Sequence, residues 1–285
     1  MKKVLICIIS TIILIIVLFE MWKNYNLNQK QVAVLVYHNI VLTNEEKEKD
    51  TDTLTITDFE EQLKYLKDNK YETISVEDYY NWKENKQDIP EKSVIITFDD
   101  GYYSFKYLAQ PILEKYNFKA TCFLIGNETG EITPEYDSKK YGTIGLDEIN
   151  DHSSSITYGC HTFDLHKQDE NGIPIVKSKS YEELKEDLEQ FNSNLFNAKY
   201  LAYPYYTSTN DFEKVLENAN YNLAFVGEEE MATKNVDNYK VPRISAVKDI
   251  NEFKKIFDTD KYRNKYGNGL IRKICVNFKR LIGSI

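Results

Sequence analysis

Strand-like and helix-like patterns alternate along this chain from residue 32 onward, and repeated β-then-α units imply a parallel sheet. Once an apolar N-terminal run is set aside, about 255 residues remain, close to the roughly 250 of a closed (β/α) barrel. The residues able to do chemistry fall where apolar strands end, the place where such barrels build their active sites. The expected architecture is therefore an α/β barrel preceded by an N-terminal apolar helix.

Element by element, Val32–Tyr37 is a short apolar strand. Thr57-Asp58-Phe59-Glu60 has the Thr-x-x-Glu spacing of a capping box and predicts an amphipathic helix to about Lys70. A short strand is expected at Tyr71–Ile74 and a helix over Val76–Lys86. Ser93–Phe98 reads as a buried strand, and Ser104–Tyr116 as a helix despite Pro111. Ala120–Ile125 is the next strand, and Asn127–Gly145 is turn-rich and expected as a surface loop. Ile156–Cys160 is a strand, and Ser180-x-x-Glu183 caps a helix to about Phe196. Tyr200–Tyr203 (strand), Asp211–Ala219 (helix), Leu223–Val226 and Val241–Ile244 (strands) and Ile250–Phe257 (helix) complete the pattern.

The 285 residues are 42% hydrophobic and 28% charged, which provides a sizeable core and excludes disordered, collagen-like and coiled-coil chains. A net charge of −9 and a pI near 5.2 argue against a nucleic-acid partner, whose binding footprint is basic. Cys7, Cys122, Cys160 and Cys275 form no CxxC, so neither a zinc finger nor a disulfide framework is written here. Cys122 and Cys160 read as buried thiols.

Lys2 and Lys3 precede an apolar run from Val4 to Phe19, which Met21 and Trp22 extend past Glu20. A cleaved signal peptide needs small residues after such a run, yet no Ala precedes Ala33 and no Gly precedes Gly101. Residues 1–23 are thus expected as an uncleaved anchor, with a signal peptide as the alternative. The flanking lysines keep the short end inside and put the rest outside the cytoplasmic membrane. Residues 24–31 are expected as a polar linker, 32–260 as the α/β domain, and 261–285 as a basic tail. That tail carries seven Lys or Arg and no acid, with Leu270, Ile271, Ile274, Phe278, Leu281 and Ile282 at helical spacing. It suits either an anionic membrane surface or docking on the barrel.

Four strand ends hold the chemistry. SVIITF ends in Asp99-Asp100-Gly101, ITYGC in His161 with His166 five residues on, YLAY in Pro204-Tyr205, and VAVLVY in His38. Adjacent carboxylates at the end of an apolar strand repel, and a cation resolves the conflict. One carboxylate can ligate it while the other stays free as a base; a plain Asp-Asp-Gly turn would read the same way. Two imidazoles and one carboxylate make a three-ligand site with room for water, the form a hydrolytic metal takes.

Taken in order, Thr97-Phe98-Asp99-Asp100-Gly101, the His-Thr…His segment and the Pro-Tyr strand end resemble the polysaccharide deacetylases of the NodB homology type, carbohydrate esterase family 4. The resemblance spans nearly all of residues 32–257. His-Thr-x-Asp-Leu-His, Ala202-Tyr203-Pro204-Tyr205 and the early Tyr37-His38 are most similar to the intercellular-adhesin branch, the poly-β-1,6-N-acetylglucosamine N-deacetylases of biofilm exopolysaccharide. It implies a distorted barrel, and a metal-dependent enzyme that releases acetate from N-acetylglucosamine units. Deacetylation of peptidoglycan or chitin-like chains, and an inactive glycan-binding relative, are the alternatives.

By position, the resemblance implies Asp99 as general base, and Asp100, His161 and His166 as ligands of zinc, with cobalt or nickel also suited. It implies the Tyr205 N–H as oxyanion donor and His38 as general acid, since no His follows His166. In the wider family an Arg commonly precedes Pro-Tyr and orients the base, whereas this chain has Leu201-Ala202-Tyr203 there. Arg243, the only Arg before the tail, is the expected substitute, paired with Asp99. Tyr102, Tyr103, Phe163, Tyr203, Tyr205 and Tyr206 crowd the motifs and could stack on sugar rings. His152 matches no motif.

Overall fold

A computed structural model describes residues 2–27, 29–43, 52–138, 140–150 and 154–264. His152 and the tail beyond Asn264 lie outside the described residues.

Seven parallel strands close a ring, each named by chain order: β1 (Gln31–Tyr37), β5 (Ser93–Phe98), β6 (Ala120–Leu124), β7 (Ile156–Cys160), β8 (Tyr200–Ala202), β9 (Leu223–Gly227) and β11 (Val241–Ser245). Ring closure runs through β1, which pairs with β5 on one side and β11 on the other. Short strands β4 (Glu72–Thr73) and β10 (Ala232–Thr233) extend the sheet outside the ring, on β5 and antiparallel on β1. A separate parallel pair, β2 (Asn39–Val41) with β3 (Thr53–Thr55), lies just past His38. The barrel is uneven: β1 and β5 share five register pairs, from Ala33↔Val94 to Tyr37↔Phe98, whereas β7 meets β8 only at Cys160↔Leu201.

The strands are apolar on both faces because both are covered. Alternate residues separate cleanly. Val32, Val34, Ile95, Phe123, Leu223, Phe225 and Val241 belong to an inner cluster, while Ala33, Leu35, Val94, Ile96, Cys122, Leu124 and Ala224 pack outward under the helices. Tyr79 and Trp82 of α3 (Val76–Lys83) join the inner cluster and close the floor at the strands' N-terminal end. Gly159 is required by this packing, since a Cβ there would lie 2.5 Å from the Phe123 ring. Cys122 and Cys160 are buried free thiols.

Most helix boundaries follow local chemistry, with three corrections. The first barrel helix, α2 (Ile56–Asp68), is capped by Thr55, whose Oγ1 accepts from the Asp58 N–H; the expected box at Thr57 lies two residues too late. Strand β3 ends at Thr55, so the chain turns into the helix there. Helix α3 stops at Lys83, because Asn85 adopts a left-handed φ of 58°. Between Ser104 and Tyr116 the first turn is a π-turn, Phe105–Ala109, before α4 (Gln110–Tyr116). Pro111 has no N–H to give to the preceding turn, and the Gln110 N–H reaches back five residues to the Phe105 carbonyl instead. The remaining helices are α5 (Leu146–Asn150), α6 (Tyr181–Asn194, with the Ser180/Glu183 capping box), α7 (Asn210–Asn218) and α8 (Ile250–Asp258).

Helix α1 (Lys2–Leu27) precedes all of this. Its Ile8–Tyr25 segment is long and apolar enough to cross a membrane, and Ile8 to Leu18 are exposed large hydrophobics save for Ser10 and Thr11. Lys30 ties the following chain to the floor through Asp88, Glu91 and the Ile89 carbonyl.

Candidate active site

Every predicted site residue sits at the C-terminal mouth of the ring. His38, Asp99, Asp100, His161, His166 and Tyr205 line one cavity of about 90 Å³, together with Asp52, Tyr203 and Tyr206. Arg243 lies directly beneath. A larger cleft of about 570 Å³ opens at the opposite end, among Thr73, Asp78, Asp88 and Lys119, and no histidine lines it among the described residues. Chemistry, rather than size, identifies the smaller one as the site.

Backbone conformation aims these groups. Asp100 (φ 69°), Thr162 (φ 68°), Tyr205 (φ 49°) and Tyr206 (φ 57°) are all left-handed, at three strand ends around the cavity. Such conformations cost of order 1–3 kcal/mol each in a non-glycine residue and persist only where the surroundings impose them. Asp100 and Asp99 thereby point to different partners although adjacent in sequence.

Asp99 is 2% exposed and is gripped by Arg243, itself 0% exposed. Nη1 donates to Oδ1 at 2.7 Å and Nη2 to Oδ2 at 2.8 Å, a two-pronged pair. Below it the guanidinium lies 5.9 Å from the Phe123 ring centre and 5.3 Å from that of Tyr206. Burial disfavours the Asp99 charge, but Arg243 and His161 outweigh it and its pKa is lowered. Asp99 Oδ2 is also 4.0 Å from Nε2 of both His38 and His161.

Asp100, His161 and His166 form the second unit. Their three ligand atoms lie within 4.8 Å of one another. Asp100 Oδ1 is 3.4 Å from His161 Nε2 and 3.5 Å from His166 Nε2, yet it is buried with no hydrogen-bond partner. His161 Nδ1 lies 2.7 Å from the Ala202 carbonyl, which assigns the proton to Nδ1 and turns Nε2 toward Asp100. His166 stacks on Tyr205, with ring centres 4.5 Å apart.

This donor set fits a divalent cation. Two ligands about 2.1 Å from a tetrahedral zinc stand about 3.4 Å apart, the spacing found here. Burial and the neighbouring His161 lower the His166 pKa to about 4, so its lone pair is available at neutral pH. At His161 burial opposes the charged form, but Asp99 and Asp100 prevail and raise its pKa. A proton is thus drawn to the spot where a cation would satisfy the same carboxylates.

Of the aromatic residues expected at the mouth, only Tyr203, Tyr205 and Tyr206 line the cavity. Tyr103 is buried and donates its hydroxyl to the Asp137 and Lys140 carbonyls, and Phe163 packs against Gly126. Two acids escaped sequence reasoning: Asp52 at the cavity rim and Asp187 behind the histidines. Asp52 lies in a polar stretch without periodicity that could flag it. Asp187 carried a readable signal, a carboxylate among Leu184, Leu188 and Phe191 on the buried face of α6.

Comparison with known proteins agrees with this geometry. A family model described as polysaccharide deacetylase matches residues 86–224. A Staphylococcus epidermidis protein named poly-beta-1,6-N-acetyl-D-glucosamine N-deacetylase is 29% identical over 210 residues, covering 72% of each chain. Its Staphylococcus aureus namesake is 27% identical over 244 residues, 78% of this chain and 81% of the relative. In fold the chain resembles IcaB from Ammonifex degensii (TM-score 0.65, 20% identity, 80% of this chain and 95% of that one). It also resembles the Streptococcus pyogenes deacetylase PplD in complex with acetate (TM-score 0.64, 23% identity, 76% and 93%). Sequence match, barrel and site chemistry converge on a polysaccharide deacetylase domain, matched over residues 86–224, and on a hydrolase that acts on amide bonds.

Proposed function

We propose that this protein is a metal-dependent N-deacetylase that removes acetyl groups from N-acetylglucosamine units of an extracellular polysaccharide, poly-β-1,6-N-acetylglucosamine before other chains. The observation that carries the reading is the unpartnered Asp100 oxygen between two imidazoles, beside a second carboxylate held by Arg243. The two staphylococcal relatives support the substrate through their names.

Asp100, His161 and His166 would hold the cation, which polarises the acetamide carbonyl and acidifies water when bound. Asp99 takes the proton of the attacking water. Arg243 keeps that carboxylate ionised, and so able to accept a proton, while making it a weak base. The N–H of Tyr205, which sits in a left-handed turn at the cavity, would donate to the developing oxyanion. His38 gives its proton to the departing sugar amine, which cannot leave as an anion. The acid neighbouring His38 Nε2 is Asp99 itself, 4.0 Å away, so the proton taken from water has a short path to the leaving group.

Acetate release from β-1,6- and β-1,4-linked N-acetylglucosamine oligomers, with and without chelator, tests the proposal. Release from the β-1,6 chain, abolished by chelator and restored by zinc or cobalt, is expected. Full activity of metal-stripped protein refutes the metal, and release from the β-1,4 chain alone moves the substrate to peptidoglycan or chitin-like polymers. His38→Ala should keep its metal and lose roughly 10²-fold or more in kcat. A near-normal kcat would remove His38 from the acid role.

The same reading places the barrel outside the cytoplasmic membrane, tethered by α1. N-terminal sequencing of protein from the membrane fraction should return the uncut chain. A start between residues 24 and 32, with the protein in the medium, would show a cleaved signal.

A further inference from the structure

The segment Thr162–Leu165 must reverse sharply so that His161 and His166 can converge on Asp100, and Thr162 pays for this with a φ of 68°. Its carbonyls are held from one side by backbone: the Gly126 N–H donates to Thr162 O at 3.0 Å and the Asn127 N–H to Phe163 O at 2.9 Å. This approach needs glycine at 126, where a Cβ would come within 2.5 Å of the Phe163 ring. The N–H groups on the other side have one acceptor between them. Asp187 Oδ2 accepts from Phe163 N–H at 2.7 Å, and Oδ1 from Asp164 N–H at 2.8 Å.

Asp187 is 6% exposed, on the face of α6 that also buries Leu184, Leu188 and Phe191. A carboxylate on such a face is costly unless its oxygens are satisfied by donors. Here both oxygens are committed to two successive amides of the one turn that joins the histidines.

We propose that Asp187 is a positioning residue for the metal centre: by clamping the 163–164 amides it fixes His166 at ligand distance from Asp100. The proposal rests on the metal reading above. It assigns Asp187 no contact with substrate or cation. Its effect travels only through the turn, so it sets metal affinity rather than the chemical step.

Asp187→Asn is the sharpest probe, because its amide keeps one acceptor and turns a donor toward the other N–H. Cobalt affinity by competition titration should weaken 10–100-fold, as for other groups that orient ligands. The visible absorption of the cobalt-loaded protein should change as His166 withdraws. Activity should return when metal is raised above the weakened Kd. Leu188→Val, which trims packing on the same helix face, should bind cobalt like the parent. Parent-like cobalt affinity in Asp187→Asn, or equal weakening in Leu188→Val, overturns the proposal. A parent that binds no divalent cation overturns the metal reading itself, and this one with it.

Discussion

Asp99→Asn is expected to keep the metal while losing roughly 10²–10⁴-fold in turnover, the usual cost of removing a general base. The division follows from geometry. Asp100 Oδ1 faces the two ligand imidazoles at 3.4 and 3.5 Å, and Asp99 spends its oxygens on Arg243. An amide at 99 can still accept from one Arg243 nitrogen but cannot take a proton from water. Metal content and kcat measured on the same preparation decide the matter. Asp100→Asn should show the reverse order, with metal lost first. If both variants lose metal equally, the assignment of separate roles to the two carboxylates fails.

Arg243→Ala should destabilise the protein by about 3–5 kcal/mol, the range for breaking a buried ion pair from one side. Asp99 would then be a buried, uncompensated carboxylate. In the parent its pKa is lowered, so the pair's contribution is fully present above the unfolded carboxylate value and is lost only in acid, as pH falls through the folded value. Without Arg243 burial prevails and the folded pKa rises. The variant then loses stability as pH increases through the raised value, where the parent's pair is already constant. Urea unfolding at pH 5 and pH 7 should therefore show a parent-minus-variant gap that widens with pH, and the acid limb of kcat/KM should move upward. A gap independent of pH would mean that Arg243 contributes packing alone.

The barrel was legible because most ring strands are compact apolar runs and because Ser180/Glu183 announces its helix in local sequence. Arg243 stood out through scarcity, the one guanidinium in a lysine-rich chain before the tail. Elements of two or three residues such as β2, β3, β4 and β10 exist through tertiary pairing and leave little periodicity. Thr55 and Thr57 look equivalent in sequence, and only the end of β3 selects the first as cap. The π-turn before Pro111 is likewise a response to a missing donor. Asp52 left no signal, and Asp187 showed only a carboxylate on an apolar helix face, because proximity to His38 or to the histidine turn arises across distant segments.

Strand β1 carries a polarity with consequences for where the enzyme works. Its first residue, Gln31, follows closely on α1 and exchanges two hydrogen bonds with the backbone of Asn264, so both flanking segments meet the barrel at its floor. Its last residue, Tyr37, abuts His38 at the mouth. Seven residues of strand span about 23 Å. With α1 in a bilayer, that length is a standoff: a sugar still attached to a lipid headgroup lies at the wrong end of the barrel. Under the tether proposed above, the mouth would face away from the bilayer, toward a polymer that has already left the surface.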